Sequence, residues 1–310
     1  MKKKAAISLP EALAQRLARQ NTAVFLPYQV AVLAWHLVRD GAHDGVPLRA
    51  QRDRLDSATF RRVVSRLLST GVLRTVPGVS DGSAYLLLGA SASDGRALIC
   101  ALDPFCYLSH SSALEYHALT DRLPEMLYVS TPAPAPWREF ADTRMARDLG
   151  DELAAFQAQG LPGLSRSRVS RIGHRPVHRY SSIHPGAFRV VKDPEFRVAT
   201  LGRTFLDMLR EPDLCGGLMH VLTVFREHAR PNLRLILDEI DQHGNDIDKV
   251  RAGYILEDLC TIHDGRIDEW VARARRGGSR KLNPALEYSP VFSERWALSI
   301  NIPIPPEWTT

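Results

Sequence analysis

SATFRRVVSRLLSTGVLRTVPGVSDGSAYLLL, residues 57–88, is the stretch on which the fold reading turns. In its first half Phe60, Val63, Val64, Leu67 and Leu68 recur at the spacing of a single buried stripe, predicting a helix over 59–69. Asp56 or Ser57 supplies the N-cap and Gly71 the stop. In its second half two apolar runs, VLRTV at 72–76 and AYLLL at 84–88, flank the turn sequence PGVSDG at 77–82, a hairpin pattern. Toward the N-terminus, helical spacing is also present at 10–20, with Leu13, Leu17 and Ala18, and at 27–38, with Val30, Val32, Leu33, Leu37 and Val38. LRAQRDRL at 48–55 reads as a short helix. Helix, short helix, longer helix and two-stranded wing is the order of a winged helix-turn-helix, assigned to residues 1–92.

The polar side of the 59–69 helix points to a partner. It carries Ser57, Thr59, Arg61, Arg62, Ser65 and Arg66, the forks and short hydroxyls that a helix in a major groove uses on base edges and phosphates. Arg74 on the wing and Arg49, Arg52 and Arg54 on the preceding helix are placed to hold the backbone. Residues 1–92 contain 13 Lys and Arg against 6 Asp and Glu, whereas the remainder has 27 against 29, so the basic excess is concentrated in the first third. A solvated face on a protein-binding winged helix is the competing reading. Agreement of charge, pattern and hydroxyl placement favours double-stranded DNA.

Composition bounds the rest. At 310 residues, with 45% hydrophobic and 24% charged residues, the chain has the profile of a folded protein with room for two domains. No apolar run is long enough to cross a bilayer, and the start MKKKAAISLPEAL lacks the apolar core of a signal peptide, so a cytoplasmic location is expected. Cys100, Cys106, Cys215 and Cys260 show no zinc-ligand spacing and read as reduced thiols.

After a small, polar segment at 90–95 (ASASDG), residues 96–310 read as an α+β domain. A short helix is expected at 109–119 and a strand at 126–130. The extended connector PAPAPW at 132–137 then leads to a long helix over about 137–159. Strands follow at 177–183, 188–191 and 196–199, then helices at about 201–211, 216–228, 231–242, 247–261 and 266–274, with a last strand at 296–300. Arg203 and Asp207 form an i,i+4 pair of opposite charge, and Gly216-Gly217 suits a tight interhelical turn.

Three stretches of this region resemble the AbiE-type antitoxins (AbiEi family) of type IV toxin–antitoxin systems. The first is DPFCYLSHSSALEYHALTDRLPEMLYVSTP at 103–132, with Tyr107, Ser109, His110, Ser112, Ala113, Leu114 and His117. The second, at 199–229, carries Arg203, Thr204, Leu206, Asp207, Pro212, Gly216 and Gly217; the third is VRAGYILEDL at 250–259. Where the family has Glu-Arg-Thr this chain has Gly202-Arg203-Thr204, and its His-Gly is His117-Ala118. The resemblance covers essentially the whole chain. It implies a winged helix followed by a mixed α/β antitoxin domain, with a repressor bound to inverted repeats in its own promoter, self-association on that DNA, and a role in phage defence. It also implies a co-encoded nucleotidyltransferase-like toxin as functional partner, whose neutralisation need not involve a stable complex.

Catalytic patterns are weak. Ser109-His110 lacks a nucleophile elbow, and His174, His178 and His184 stand among arginines that disfavour a metal. Asp238, Glu239 and Asp241 most simply face water on a helix. Asp193 and Glu195, on a strand edge beside Arg197, are a faint echo of a nuclease. They leave one alternative: a nucleic-acid-processing enzyme with a winged-helix targeting module and a degenerate nuclease domain. The expectation is a non-enzyme with no cofactor and no metal.

Overall fold

The computed structural model describes residues 6–20, 22–49, 54–79, 82–91, 93–182, 186–274 and 280–308. The fold is mixed α/β. Its contacts group into two units, each discontinuous in sequence. One comprises Met1–Cys106, Thr131–Pro185 and Val191–Phe196, the other Tyr107–Ser130, Gly186–Val190 and Arg197–Thr310. Neither unit ends at the 90–95 segment. There the chain starts a further helix, Gly95–Leu102, because Asp94 caps it by accepting from the backbone N–H groups of Arg96 and Ala97.

In the first unit the helix Leu9–Ala18 opens on a capping box in which Ser8 and Glu11 satisfy each other's backbone N–H groups. The helix Pro27–Asp40 begins with a proline, which has no N–H to leave unsatisfied, and ends at Gly41 in the left-handed region (φ 61°). The helix Ser57–Ser69 is capped by Asp56, whose Oδ1 accepts from the Thr59 N–H at 2.7 Å. Strands Leu73–Thr75 and Tyr85–Leu87 pair antiparallel, and Val24–Phe25 pairs with the outer side of the second, Val24 opposite Leu86.

The short helix expected at 48–55 does not form at its described ends. Leu48 bridges Ile7, and the Arg49 N–H donates to the Ile7 carbonyl at 2.8 Å, which holds this chain extended; 50–53, including Arg52, lie outside the described residues.

The same unit takes in a later segment. PAPAPW is not an extended connector: the helix Pro134–Leu149 starts within it, its prolines tolerated in the first turn. Gly150 (φ 53°) ends that helix, so the expected single helix over 137–159 becomes two, the second being Leu153–Ala158. Met145, Leu149, Phe156 and Leu161 then complete a core with Leu13, Leu17, Tyr28, Leu37, Phe60 and Leu67. Phe156, 1% exposed, meets the rings of Tyr28 and Trp35 edge-on.

The second unit holds the strand Tyr107–Leu108 and most of Phe188–Val191, Phe196–Ala199 and Leu127–Pro132, with Val198 parallel to Leu108 and Leu108 antiparallel to Val129. Helices His110–Tyr116, Leu201–Arg210, Leu218–His243, Asp246–Tyr254 and Gly265–Trp270 supply most of its core. The two helices expected at 216–228 and 231–242 are one. Pro231 sits inside it, and the buried faces on either side (Val221, Leu222, Phe225; Ile236, Leu237, Ile240) enter the same core and keep it continuous. No described helix is long and apolar enough to cross a membrane.

Candidate nucleic-acid interface

The Ser57–Ser69 helix buries Phe60, Val63, Val64 and Leu67, so its remaining positions are forced outward. Arg61, Arg62, Ser65 and Arg66 are exposed on that outer side. Arg61 Nε donates to the Ser57 carbonyl at 3.3 Å and Arg62 Nη2 to Thr59 Oγ1 at 3.0 Å, contacts that orient the guanidinium groups without neutralising them. Ser57 is half-buried, its N–H donating to the Gln159 carbonyl at 3.0 Å, which ties the start of the helix to the later segment of the unit. Thr59 is half-buried as well.

Arg74, on the strand Leu73–Thr75, is exposed and donates to the Ala90 carbonyl at 3.4 Å. Arg54 is exposed, and Arg49 Nε donates to the Ala6 carbonyl at 3.0 Å. Among the described residues, none of Arg54, Arg61, Arg62, Arg66 and Arg74 enters an ion pair. Elsewhere arginines at the surface do find carboxylates, as the half-buried Arg266 does on Asp238 and Asp241 and the exposed Arg295 on Glu257 and Asp268. An uncompensated arginine face of this kind suits a polyanion.

A further basic stretch, all of it but Arg189 in the same unit, was missed in the sequence. Residues 153–192 contain Arg166, Arg168, Arg171, Arg175, Arg179, Arg189 and Lys192 and no Asp or Glu. Summing charge over everything beyond residue 92 hid this run behind the acidic helices that follow it. The strands Arg171–Ile172 and Arg175–Ser182 carry its middle.

The residues that carried the family resemblance lie in the other unit, most of them buried. Tyr107 stacks on Phe188 and its hydroxyl accepts from the Gly186 N–H at 3.0 Å. Ser109 occupies the N-cap position of its helix, but its Oγ lies 2.8 Å from His110 Nδ1 and accepts from Ser130 at 2.9 Å instead of capping. Ser111 donates to the Leu214 carbonyl, and Ser112 accepts from the Tyr128 N–H. His117 Nε2 donates to the Ala199 carbonyl at 2.8 Å, and burial holds its pKa below the ordinary imidazole value.

Arg203 and Asp207 form a buried ion pair at 2.7 Å. Burial raises the Asp207 carboxyl to about 6, the Arg203 guanidinium offsetting only part of that effect. Glu239, expected on a solvated face, is 8% exposed, and burial raises its pKa too.

Of the acidic pattern that suggested a nuclease, Asp193 and Glu195 are exposed in the turn ahead of the Phe196–Ala199 strand, not on a strand edge. Among the described residues no group of three or more His, Cys, Asp or Glu is placed to hold a metal; His184 lies outside them.

No model of a known protein family matches this chain, and no curated protein does. Among solved structures, it is similar to the crystal structure of the Rv2827c protein from Mycobacterium tuberculosis, at 13% identity and a TM-score of 0.46, over 96% of this chain and 92% of that one.

Proposed function

We propose that this chain is the antitoxin of a type IV toxin–antitoxin pair, a non-enzyme acting in the cytoplasm. Its first 92 residues act as a winged helix-turn-helix that binds inverted repeats upstream of its own gene and represses transcription. Residues 96–310 counter a co-encoded nucleotidyltransferase-like toxin. The observation that carries the DNA-binding half is the outward row Arg61, Arg62, Ser65 and Arg66, with Arg74 on the hairpin and none of these arginines in an ion pair among the described residues. The antitoxin half is supported by the sequence resemblance at 103–132, 199–229 and 250–259.

In this reading the Ser57–Ser69 helix enters the major groove, where Arg61, Arg62 and Arg66 reach base edges or flanking phosphates, and Arg74 grips the adjacent backbone. A palindromic operator takes two copies of the chain about 34–36 Å apart, one turn of DNA. The test is a mobility shift with the full chain on the DNA upstream of its gene, comparing wild type with Arg61→Ala and Arg62→Ala. Each variant is expected to bind at least about tenfold more weakly, the loss of one charge-assisted contact. Unchanged binding by both removes the recognition-helix assignment. Co-expression of the full chain with the neighbouring toxin is expected to restore growth; persistent arrest removes the antitoxin half.

A further inference from the structure

Within the first unit, a cleft of about 1330 Å³ lies between the start of the Ser57–Ser69 helix, the wing at 82–85 and the segment 160–169. Arg61, Arg166, Arg168 and Arg179 line it, and among the described residues no carboxylate does. Phe60 and Tyr85 give it an aromatic wall.

Two of these guanidinium groups are sunk into the protein with bonds to spare. Arg166 Nη2 donates to the Pro132 carbonyl at 3.4 Å and to Ser181 Oγ at 3.1 Å, while its Nε is buried with no partner. Arg179 Nη1 donates to the Val169 carbonyl, and its Nε and Nη2 are likewise buried and unpartnered. Asp103, the carboxylate whose field reaches Arg179, is already engaged by Thr131 Oγ1 at 2.9 Å, Trp137 Nε1 at 3.0 Å and the Phe105 N–H. Burial, with the neighbouring Arg166 charge, holds Arg179 below its ordinary pKa against that field. Buried charged donors are nearly always satisfied in folded proteins. Arginines line the cleft without an acid among the described residues, and two of them keep unmet guanidinium N–H groups beneath its wall, which together point to a missing anion.

We infer that this cleft is a binding site for a phosphate-bearing anion, held by Arg166, Arg168 and Arg179. Planar guanidinium forks match phosphate oxygens in a way that point charges do not. The cleft, at about 1330 Å³, is larger than the usual small-molecule site, and its aromatic wall suits the apolar part of a phosphorylated metabolite. The same chemistry is offered by a DNA backbone phosphate, so the test separates the two sources. Arg61 belongs both to the cleft and to the exposed helix face, so an occupant would alter DNA affinity. That coupling rests on the DNA-binding reading; the anion site itself does not.

The experiment is calorimetric titration of the full chain with pyrophosphate in chloride buffer. Binding with a Kd below about 1 mM is expected, weakened at least about tenfold by Arg179→Gln and about threefold by Arg168→Gln. Arg168 is exposed, so its variant folds whatever becomes of the buried one. A second titration adds saturating operator duplex. Unchanged affinity assigns the site to a free phosphorylated molecule, and competition assigns it to backbone phosphate; both keep the site. No binding up to about 10 mM, or an affinity indifferent to both substitutions, overturns it. A chain that fails to bind DNA but still binds pyrophosphate overturns only the DNA reading.

Discussion

Phe156→Ala tests whether the segment after residue 131 is truly part of the N-terminal core. Phe156 is 1% exposed, with ring centroids 5.6 Å from Trp35 and 6.3 Å from Tyr28, both edge-on. Truncating a buried phenylalanine costs about 3–5 kcal/mol through lost burial and the cavity left behind. Two aromatic edge contacts, each typically about 0.5–1.5 kcal/mol, place this site in the upper half of that range, about 4 kcal/mol. At about 2–4 °C per kcal/mol for a body of this size, the midpoint should fall by about 8–16 °C. Urea unfolding followed by tryptophan fluorescence reads the change directly, since Trp35 lies against the truncated ring. Phe156→Leu should recover more than half of the loss. A cost below about 1 kcal/mol, with the slope of the transition unchanged, would mean that the helix Leu153–Ala158 does not belong to this core, and the reasoning would fail.

Other consequences follow from the same geometry. On the proposed DNA-binding function, the logarithm of the operator-binding constant should fall linearly with the logarithm of salt, and Arg61→Ala with Arg62→Ala should make that slope shallower by about 1.8 if both arginines sit on phosphates; an unchanged slope puts them elsewhere. Asp207, held at about 6 against an ordinary 3.8, binds its proton more tightly when folded. Its contribution to stability is therefore full below about pH 4 and is lost as pH rises through about 6, on the order of 3 kcal/mol in all. The stability difference between wild type and Asp207→Asn should shift across that window, and a flat difference counts against the burial argument. Gly253→Ala would bring a methyl carbon to 2.1 Å from the ring of the fully buried Trp296. A loss of about 3 kcal/mol in chemical unfolding is expected from that overpacking, and a loss under about 0.5 kcal/mol would show that the ring can move aside.

Where local chemistry decides the backbone, the sequence was readable. The stripe Phe60, Val63, Val64 and Leu67 and the hairpin around Pro77-Gly78 appear in the structure within a residue or two of their expected limits, because periodicity and turn residues act over a few positions. The strands Phe188–Val191 and Phe196–Ala199 have the expected limits for the same reason. Long-range packing was not readable. Pro231 looked like a helix boundary, and only the shared core on both sides of it keeps that helix whole. The extended chain at Leu48 depends on Ile7, some forty residues away, which no window of helical spacing around 48–55 contains. For the candidate site, Arg61, Arg62 and Arg66 were legible as an outward face, whereas Arg166, Arg168 and Arg179 join Arg61 only through the return of the chain.

That return also bears on how the protein is made. Ribosomes deliver the chain from its N-terminus, yet the core containing Leu13, Tyr28 and Phe60 lacks Met145, Leu149, Phe156 and Leu161 until residues well past 92 have emerged. At about 5–20 residues per second, the roughly 70 residues from 92 to 161 take about 4–14 s to synthesise. During that interval the nascent arginine-bearing helix has part of its apolar face uncovered, a natural substrate for chaperones. A gene fragment ending near residue 92 would prolong that state indefinitely, so expression of the N-terminal unit by itself calls for a chain that keeps residues 131–185.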